Sequence, residues 1–191
     1  MRLVNWLIIT ASAAAVSLAG GAAAKGGETP TRGRELPPPL AVPPGNELAF
    51  ALEADGVQVY ACAAGATSYS WAFKAPEASL TEAGGRAAGT HYAGPTWEST
   101  DGSKVVGAKL EAATPDAAAI PWLLLRAASH AGSGRMEDVT FVQRIQTSGG
   151  NAPAEGCDAS HVGALARVPY RALYCFYRKA SGGASSGGAS Y

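Results

Sequence analysis

The chain is poor in the residues that mark several large classes of protein. Its 191 residues include only 3 histidines and 3 cysteines, and no H-x-H, H-E-x-x-H or paired C-x-x-C spacing offers a metal site. No G-x-G-x-x-G follows a strand and opens a helix, which excludes a nicotinamide-dependent dehydrogenase. The 15 basic and 15 acidic side chains balance, and no Lys/Arg cluster gives a nucleic acid a basic face. We therefore expect no cofactor and no nucleic-acid partner.

Long apolar runs are also absent, except at the N-terminus. Met1 and Arg2 precede "LVNWLIITASAAAVSLAGG", and the small residues at 22–24 supply an A-x-A cleavage site. The run is diluted with Ala and Ser, and no stop-transfer charges follow it, so a cleaved signal peptide over residues 1–24 is favoured over a permanent span. We expect a secreted or periplasmic protein that is not membrane-embedded after signal removal.

The mature chain is long enough for one domain between two unstructured ends. Residues 25–39 are rich in Pro, Gly and charge, which favours a disordered lead-in. Residues 180–191 have the composition of a Gly/Ser linker and are predicted to be a disordered tail. The folded domain is therefore predicted over residues 40–179.

The apolar residues of this domain recur with the period of strands, and no stretch has a 3.6-residue apolar stripe. Residues 46–62, "NELAFALEADGVQVYAC", alternate on both sides of Asp55-Gly56, which predicts a β-hairpin turning at that dipeptide. Residues 139–146 and 167–179 alternate as well, whereas "AIPWLLLRAAS" fits either a strand or a buried helical turn. The prediction is an all-β fold, a single antiparallel β-sandwich or barrel-like domain with short hairpins and few or no helices.

A weak internal repeat predicts two further hairpins. Residues 76–89 and 95–107 share the order proline, threonine, acid, glycine, small residue, base, two apolar residues, glycine. In each, a glycine can adopt positive φ while the threonine and the acid cap the turn. Glu82, Gly84, Asp101 and Gly102 therefore have a structural role that competes with any catalytic one.

Three cysteines in an exported protein allow one disulfide and three pairings. We favour Cys62 with Cys157, because Cys62 ends a strand and Cys157 lies in a turn-rich segment. Cys175 lies in the middle of a predicted strand, where a buried thiol behaves as a small apolar residue.

The candidate site residues lie in the segment "GTHYAGPTWESTDGSKVVG", residues 89–107. Aromatic side chains on adjacent strands can form a stacking platform for carbohydrate, so Tyr92 and Trp97 are candidate binding residues, although core packing is their common role. His91 with Glu98 or Asp101 could instead form an N/O metal site, but their spacing gives that hypothesis no support.

Several segments together resemble one exported family. They are "VPPGNELAF", "GVQVYAC", the 89–107 segment, "IPWLLLRA", "VTFVQRIQTSGGNAPAEGCDAS" and "RVPY" ending in "FYR". The chain resembles the family catalogued as domain of unknown function 3455, found in bacteria and fungi, over residues 42–178. The resemblance implies a cysteine pair at Cys62 and Cys157, and it places an aromatic residue where Cys175 stands. It implies no activity, since the family has none established.

Two functions follow as hypotheses. The first is a non-catalytic extracytoplasmic binding module for a glycan, a cell-envelope polymer or a protein partner, using surface aromatics. The alternative is a metal-assisted extracytoplasmic enzyme using His91 with Glu98 or Asp101. We favour the first, so the chain is not expected to be an enzyme.

Overall fold

The protein is a closed antiparallel β-barrel, which confirms the all-β prediction. A computed structural model describes residues 35–182; the predicted signal peptide, most of the lead-in and residues 183–191 of the tail lie outside them. The strands are β1 (Asn46–Ala64), β2 (Tyr69–Thr81), β3 (Ala87–Tyr92), β4 (Thr96–Ser99), β5 (Lys104–Ala113), β6 (Trp122–Ala131), β7 (Val139–Gly149) and β8 (Leu165–Lys179). A 3-10 helix, Pro38–Leu40, precedes them. The predicted strands at 139–146 and 167–179 lie in β7 and β8, and "AIPWLLLRAAS" contributes β6.

Each strand pairs with the next along the chain, and β8 closes the barrel on β1. Because the connections are successive hairpins, they alternate between the two ends of the barrel. Loops 65–68, 93–95, 114–121 and 150–164 lie together at what we call the open end. Loops 82–86, 100–103 and 132–138 lie at the other, the plugged end.

The hairpin predicted at Asp55-Gly56 is wrong, because β1 runs through this dipeptide without a turn. Gly56 pairs with Ala78 of β2 on one side and with Tyr170 of β8 on the other. A Cβ at Gly56 would lie 2.1 Å from the carbonyl oxygen of Glu77. The glycine is needed there because two backbones approach closely, and not because the chain reverses.

The two hairpins predicted from the repeat are confirmed. Gly84 and Gly102 have φ of 96° and 87° in the β2–β3 and β4–β5 turns. In the second turn Oδ1 of Asp101 accepts hydrogen bonds from the backbone N–H of Ser103, at 2.9 Å, and from its Oγ, at 2.6 Å. This is the side-chain-to-backbone capping that the sequence predicts.

The β6–β7 loop closes the plugged end. Met136 is fully buried, and its backbone N–H donates to Oγ of Ser103 at 3.0 Å. The backbone N–H of Arg135 donates to Oδ2 of Asp101 at 2.9 Å, and its guanidinium lies 4.0 Å from the ring centre of Phe50. Asp101 therefore ties two loops of the plugged end together.

The segment before β1 covers part of the outer face of the barrel. Leu40 is fully buried, and its carbonyl accepts a hydrogen bond of 2.6 Å from Nε2 of Gln143. Leu36, which belongs to the lead-in predicted to be disordered, packs on the same cluster. This second core consists of Leu40, Trp122, Leu124, Ile145, Cys175 and Tyr177. Cys175 is a free, buried thiol there, and burial raises its pKa to about 12.

A disulfide between Cys62 and Cys157 confirms the predicted pairing and fastens the long β7–β8 loop to the end of β1. Nε1 of Trp71 also donates to the carbonyl of Glu155 in this loop, at 2.9 Å. A structural disulfide is compatible with an extracytoplasmic protein. Within residues 35–182, no helix has the length and apolar character to cross a membrane.

Candidate functional site

The structure separates the five predicted site residues into three places. His91 of β3 and Trp97 of β4 are paired neighbours that point into the barrel, where they are 3% and 1% exposed. Tyr92 and Glu98 alternate with them and point outward. Asp101 lies in the β4–β5 turn at the plugged end. Their proximity in the sequence therefore does not make them one site.

The outward pair belongs to a surface hydrogen-bond network. Oη of Tyr92 donates to Oε2 of Glu98 at 2.8 Å, and Nζ of Lys104 lies 3.0 Å from the same oxygen. Lys104 and then Tyr92 lower the pKa of the Glu98 carboxyl group. Exposed pairs of this kind contribute little to stability, and the carboxylate is occupied by its neighbours.

The proposed metal ligands are not brought together. His91 and Glu98 lie on opposite faces of the same strand pair, while Asp101 uses both carboxylate oxygens at the plugged end. The N–H of Arg135 and then the hydroxyl of Ser103 hold the pKa of Asp101 far below its usual range. Among the described residues, no group of three or more His, Cys, Asp or Glu side chains could hold a metal ion.

His91 is part of an aromatic stack inside the barrel. Its ring lies 4.5 Å from that of Trp97 at an interplanar angle of 10°, and the edge contact with Tyr174 is 4.9 Å. Nδ1 lies 2.8 Å from the carbonyl oxygen of Thr96, so Nδ1 carries the proton because a carbonyl only accepts. Burial, with a smaller contribution from the charge of Arg144, lowers the pKa of His91 to about 3. The imidazole is therefore neutral near pH 7.

Trp97 does not lie on the flat external platform that the sequence suggested. Trp97 is inside the barrel, and Trp122 is in the second core. Among residues 35–182 the large aromatic side chains that are exposed are Tyr69 and Phe73, at 43% and 53%. Ligand binding by His91, Tyr92, Trp97, Glu98 and Asp101 stays a prediction, but His91 and Trp97 would have to act from the interior.

Both His91 and Trp97 line a cavity of about 410 Å³ at the open end. This volume falls within the range of roughly 300–1,000 Å³ that is common for small-molecule sites. The β3–β4 loop contributes Pro95 to the lining, and the β5–β6 loop contributes Ile120 and Pro121. The aromatic and apolar side chains that the strands contribute are Tyr60, Phe73, Pro76, Trp97, Leu123, Leu125 and Tyr174.

The charged residues of the cavity all have one sign. Lys74, Lys109 and Arg144 line it, and no Asp or Glu of the described residues does. Lys74 and Lys109 are exposed, whereas Arg144 is half-buried and donates from Nε to the carbonyl of Pro121 at 3.0 Å. No carboxylate within residues 35–182 forms an ion pair with Arg144. The cavity thus contains a cation without an anionic partner.

The charge of Arg144 affects the pKa of the surrounding tyrosine side chains. Burial raises the pKa of Tyr60, Tyr170 and Tyr174, and the guanidinium acts in the opposite direction at all three. Oη of Tyr60 donates to the carbonyl of Gly150 at 2.6 Å, which fixes the start of the β7–β8 loop over the barrel. The phenols stay protonated, so none of them neutralises the arginine.

Two buried N–H donors in the cavity wall have no acceptor among the described residues. They are Nε2 of Gln58 and Nε1 of Trp97, whose side chains are 2% and 1% exposed. A buried donor without a partner costs about 1–3 kcal/mol. Such atoms in a native structure call for an explanation, and an acceptor supplied by a bound ligand is one.

Sequence reasoning missed Gln58, Tyr60 and Arg144. Alternation in residues 139–146 groups Phe141 with Val139 and predicts that Arg144 faces solvent. The pairing of β7 with β8 shifts register between Val139 and Phe141, after which Val142 and Arg144 point inward. The sequence around Arg144 does not show that its side chain points inward, because the bulge that reverses the alternation depends on pairing with the partner strand.

The fold and the cavity define a class: closed eight-stranded antiparallel barrels with a ligand-sized cavity at one end. The chain belongs to the family described as "Protein of unknown function (DUF3455)", whose model matches residues 43–178. This confirms the resemblance, and the match spans most of the barrel. No curated protein and no solved structure matches the chain.

Proposed function

We propose that this protein is a non-catalytic extracytoplasmic binding module that holds a small molecule in the barrel cavity. The cavity of about 410 Å³, largely apolar and accessible from the open end, is the observation that carries the proposal. The binding class is the one favoured from the sequence, but the site moves from the surface to the interior. The disulfide and the predicted signal peptide support a secreted or periplasmic location.

The groups inside the cavity favour binding over acid–base chemistry. A general acid or base works best with a pKa near the working pH. The pKa of His91 is lowered to about 3, and burial raises the pKa of Tyr60 and Tyr174 above the usual phenol value. These side chains hold one protonation state near neutral pH, which suits a rigid binding wall.

A matched pair of Leu→Trp variants tests the proposal. Leu123 lines the cavity, whereas Leu110 is exposed, at 42%. The neutral fluorescent probe N-phenyl-1-naphthylamine should bind the wild-type chain saturably, at one site, with enhanced emission. Leu123→Trp should abolish this binding by filling the cavity, and Leu110→Trp should leave it unchanged.

The competing explanation is adsorption of the probe to an apolar surface patch. In that case Leu110→Trp would increase the emission and Leu123→Trp would have no effect. Binding that survives Leu123→Trp, in a variant whose circular dichroism matches the wild type, would overturn the proposed function.

A further inference from the structure

We propose that the ligand of the barrel cavity is an organic anion, with an apolar body and one carboxylate-type group bound by Arg144. This inference rests on the proposed binding function and names the ligand class.

The charged side chains that line the cavity are all cationic. Within residues 35–182, three cations line the cavity and no carboxylate does, although the whole chain is electrically balanced. A low-dielectric recess with charge of one sign concentrates ligands of the opposite sign. Lys74 and Lys109 are exposed and can attract an anion towards the cavity, whereas Arg144 is half-buried within it.

Arg144 is the group that specifies the anion. A guanidinium removed from water is unfavourable unless an anion or several acceptors compensate it. Arg144 donates from Nε to the carbonyl of Pro121 and also hydrogen-bonds the phenol of Tyr174. These two neutral partners engage two of the five N–H groups of the guanidinium and leave the others for a ligand. A carboxylate matches two such N–H groups at once, so its geometry fits an arginine better than that of a neutral carbonyl does.

Two further donors favour an oxygen-rich head group over a purely apolar ligand. Nε2 of Gln58 and Nε1 of Trp97 are buried donors in the cavity wall without acceptors among residues 35–182. Both need acceptors, and neither can satisfy a ligand that only donates. The unsatisfied donors of the cavity wall and its positive charges therefore both favour a ligand with an anionic group that accepts hydrogen bonds.

The rest of the wall indicates the body of the ligand. Phe73, Pro76, Leu123 and Leu125 offer apolar surface, and the ring of Phe73 makes an edge contact of 5.7 Å with that of Tyr60. A sugar presents many hydroxyl donors and would want carboxylate acceptors around it, which this cavity lacks. An aryl or alkyl body fits the wall better.

Displacement of N-phenyl-1-naphthylamine by 4-phenylbutanoate and by its neutral isostere 4-phenylbutanamide tests the inference on the mature chain. The carboxylate should displace the probe at a concentration about tenfold or more below that of the amide, as expected for a charge-assisted hydrogen bond. Arg144→Gln should remove this preference. Arg126→Gln, an exposed arginine of β6, should retain it.

The outcomes separate this inference from the proposed function. Probe binding that Leu123→Trp abolishes, with equal displacement by the two competitors or by neither, overturns the anion inference and leaves the binding function standing. Probe binding that is insensitive to Leu123→Trp overturns the function itself. A carboxylate preference that persists in Arg144→Gln removes Arg144 from the proposal. If that variant fails to fold, Arg144→Lys should keep the charge and still weaken the preference, because the two-pronged geometry is lost.

Discussion

His91 of β3 stacks on Trp97 of β4 across one rung of the barrel, with the two rings 4.5 Å apart and nearly parallel. The imidazole is thereby a member of the interior wall, and its Nδ1 proton is committed to the carbonyl of Thr96. A histidine in this setting acts as a polar aromatic ring and not as a proton carrier.

This burial predicts a loss of stability on mild acidification. The pKa of His91 is about 3 in the folded chain and about 6.5 in an unfolded one. Between these values the unfolded state binds more protons, so the free energy of unfolding is highest above pH 6.5 and falls by up to about 1.4 kcal/mol per pH unit below it. Urea unfolding at pH 7 and pH 5 measures the effect.

The variant for that experiment is His91→Phe, which keeps an aromatic ring but cannot be protonated. His91→Phe should flatten the dependence on pH relative to the wild type. The range stops at pH 5 because carboxylates with a lowered pKa, such as Asp101, add a loss of the same sign below it. An unchanged slope in His91→Phe would contradict the assignment.

The disulfide should contribute substantially to stability. Cys62 and Cys157 are separated by 95 residues, and closing a loop of that length stabilises a chain by up to about 4–5 kcal/mol through the entropy of the unfolded state. For a domain of this size the Cys62→Ser/Cys157→Ser double variant should melt roughly 10 °C or more below the wild type. Differential scanning calorimetry checks this. In Cys175→Ala, reductant should lower Tm as it does in the wild type; a Tm that reductant leaves unchanged in both proteins would refute the prediction.

Gly56 should not tolerate even one methyl group. A Cβ there would collide with the backbone of β2, 2.1 Å from a carbonyl oxygen, so Gly56→Ala should cost about 1–3 kcal/mol through forced displacement of the strands. Gly182→Ala is the control, because nothing lies within 4 Å of its added Cβ. Equal denaturation midpoints for the two variants would mean that β1 and β2 are not so closely apposed.

Asp101 should matter for the plugged end and not for binding. Asp101→Ala removes acceptors from Ser103 and Arg135 and should lower stability by an amount of order 1 kcal/mol. Hydrogen exchange should quicken in the 100–103 and 132–138 loops, while affinity for N-phenyl-1-naphthylamine stays unchanged. Asp138→Ala, at an exposed position in the 132–138 loop of the same end, is the comparison. A loss of probe affinity in Asp101→Ala but not in Asp138→Ala would contradict this prediction and indicate that Asp101 takes part in binding.

Most of the fold can be predicted from the sequence, because strand alternation and turn formation depend on residues that are neighbours in the chain. The turns at Gly84 and Gly102 and the strands near the C-terminus follow directly from residue type. The hairpin prediction at Asp55-Gly56 is wrong for a physical reason. A glycine that is required by a close approach of two strands cannot be distinguished in the sequence from one that is required by a turn. Only the neighbouring strand distinguishes the two.

The site was far less legible. His91 and Glu98 are close in the sequence, but His91 pairs with Trp97 across the β3–β4 hairpin. Glu98 is the next residue of β4 after Trp97, so its side chain points to the opposite face of the sheet. The N-terminal segment covers the outside of β7, so Phe141 and Ile145 are apolar without facing the interior. Because Phe141 and Ile145 are apolar although they face outward, the alternation in the sequence assigns Arg144, the residue on which the ligand proposal depends, to the wrong face.

The separation of the two ends of the barrel has a practical consequence. β8 finishes at Lys179, opposite Asn46 where β1 begins, and both lie at the end sealed by Met136. A protein coupled to a biosensor chip through the end of β8 would therefore be held by its sealed base. The ligand entrance would point away from the chip, so immobilisation in this orientation leaves access from solution unobstructed.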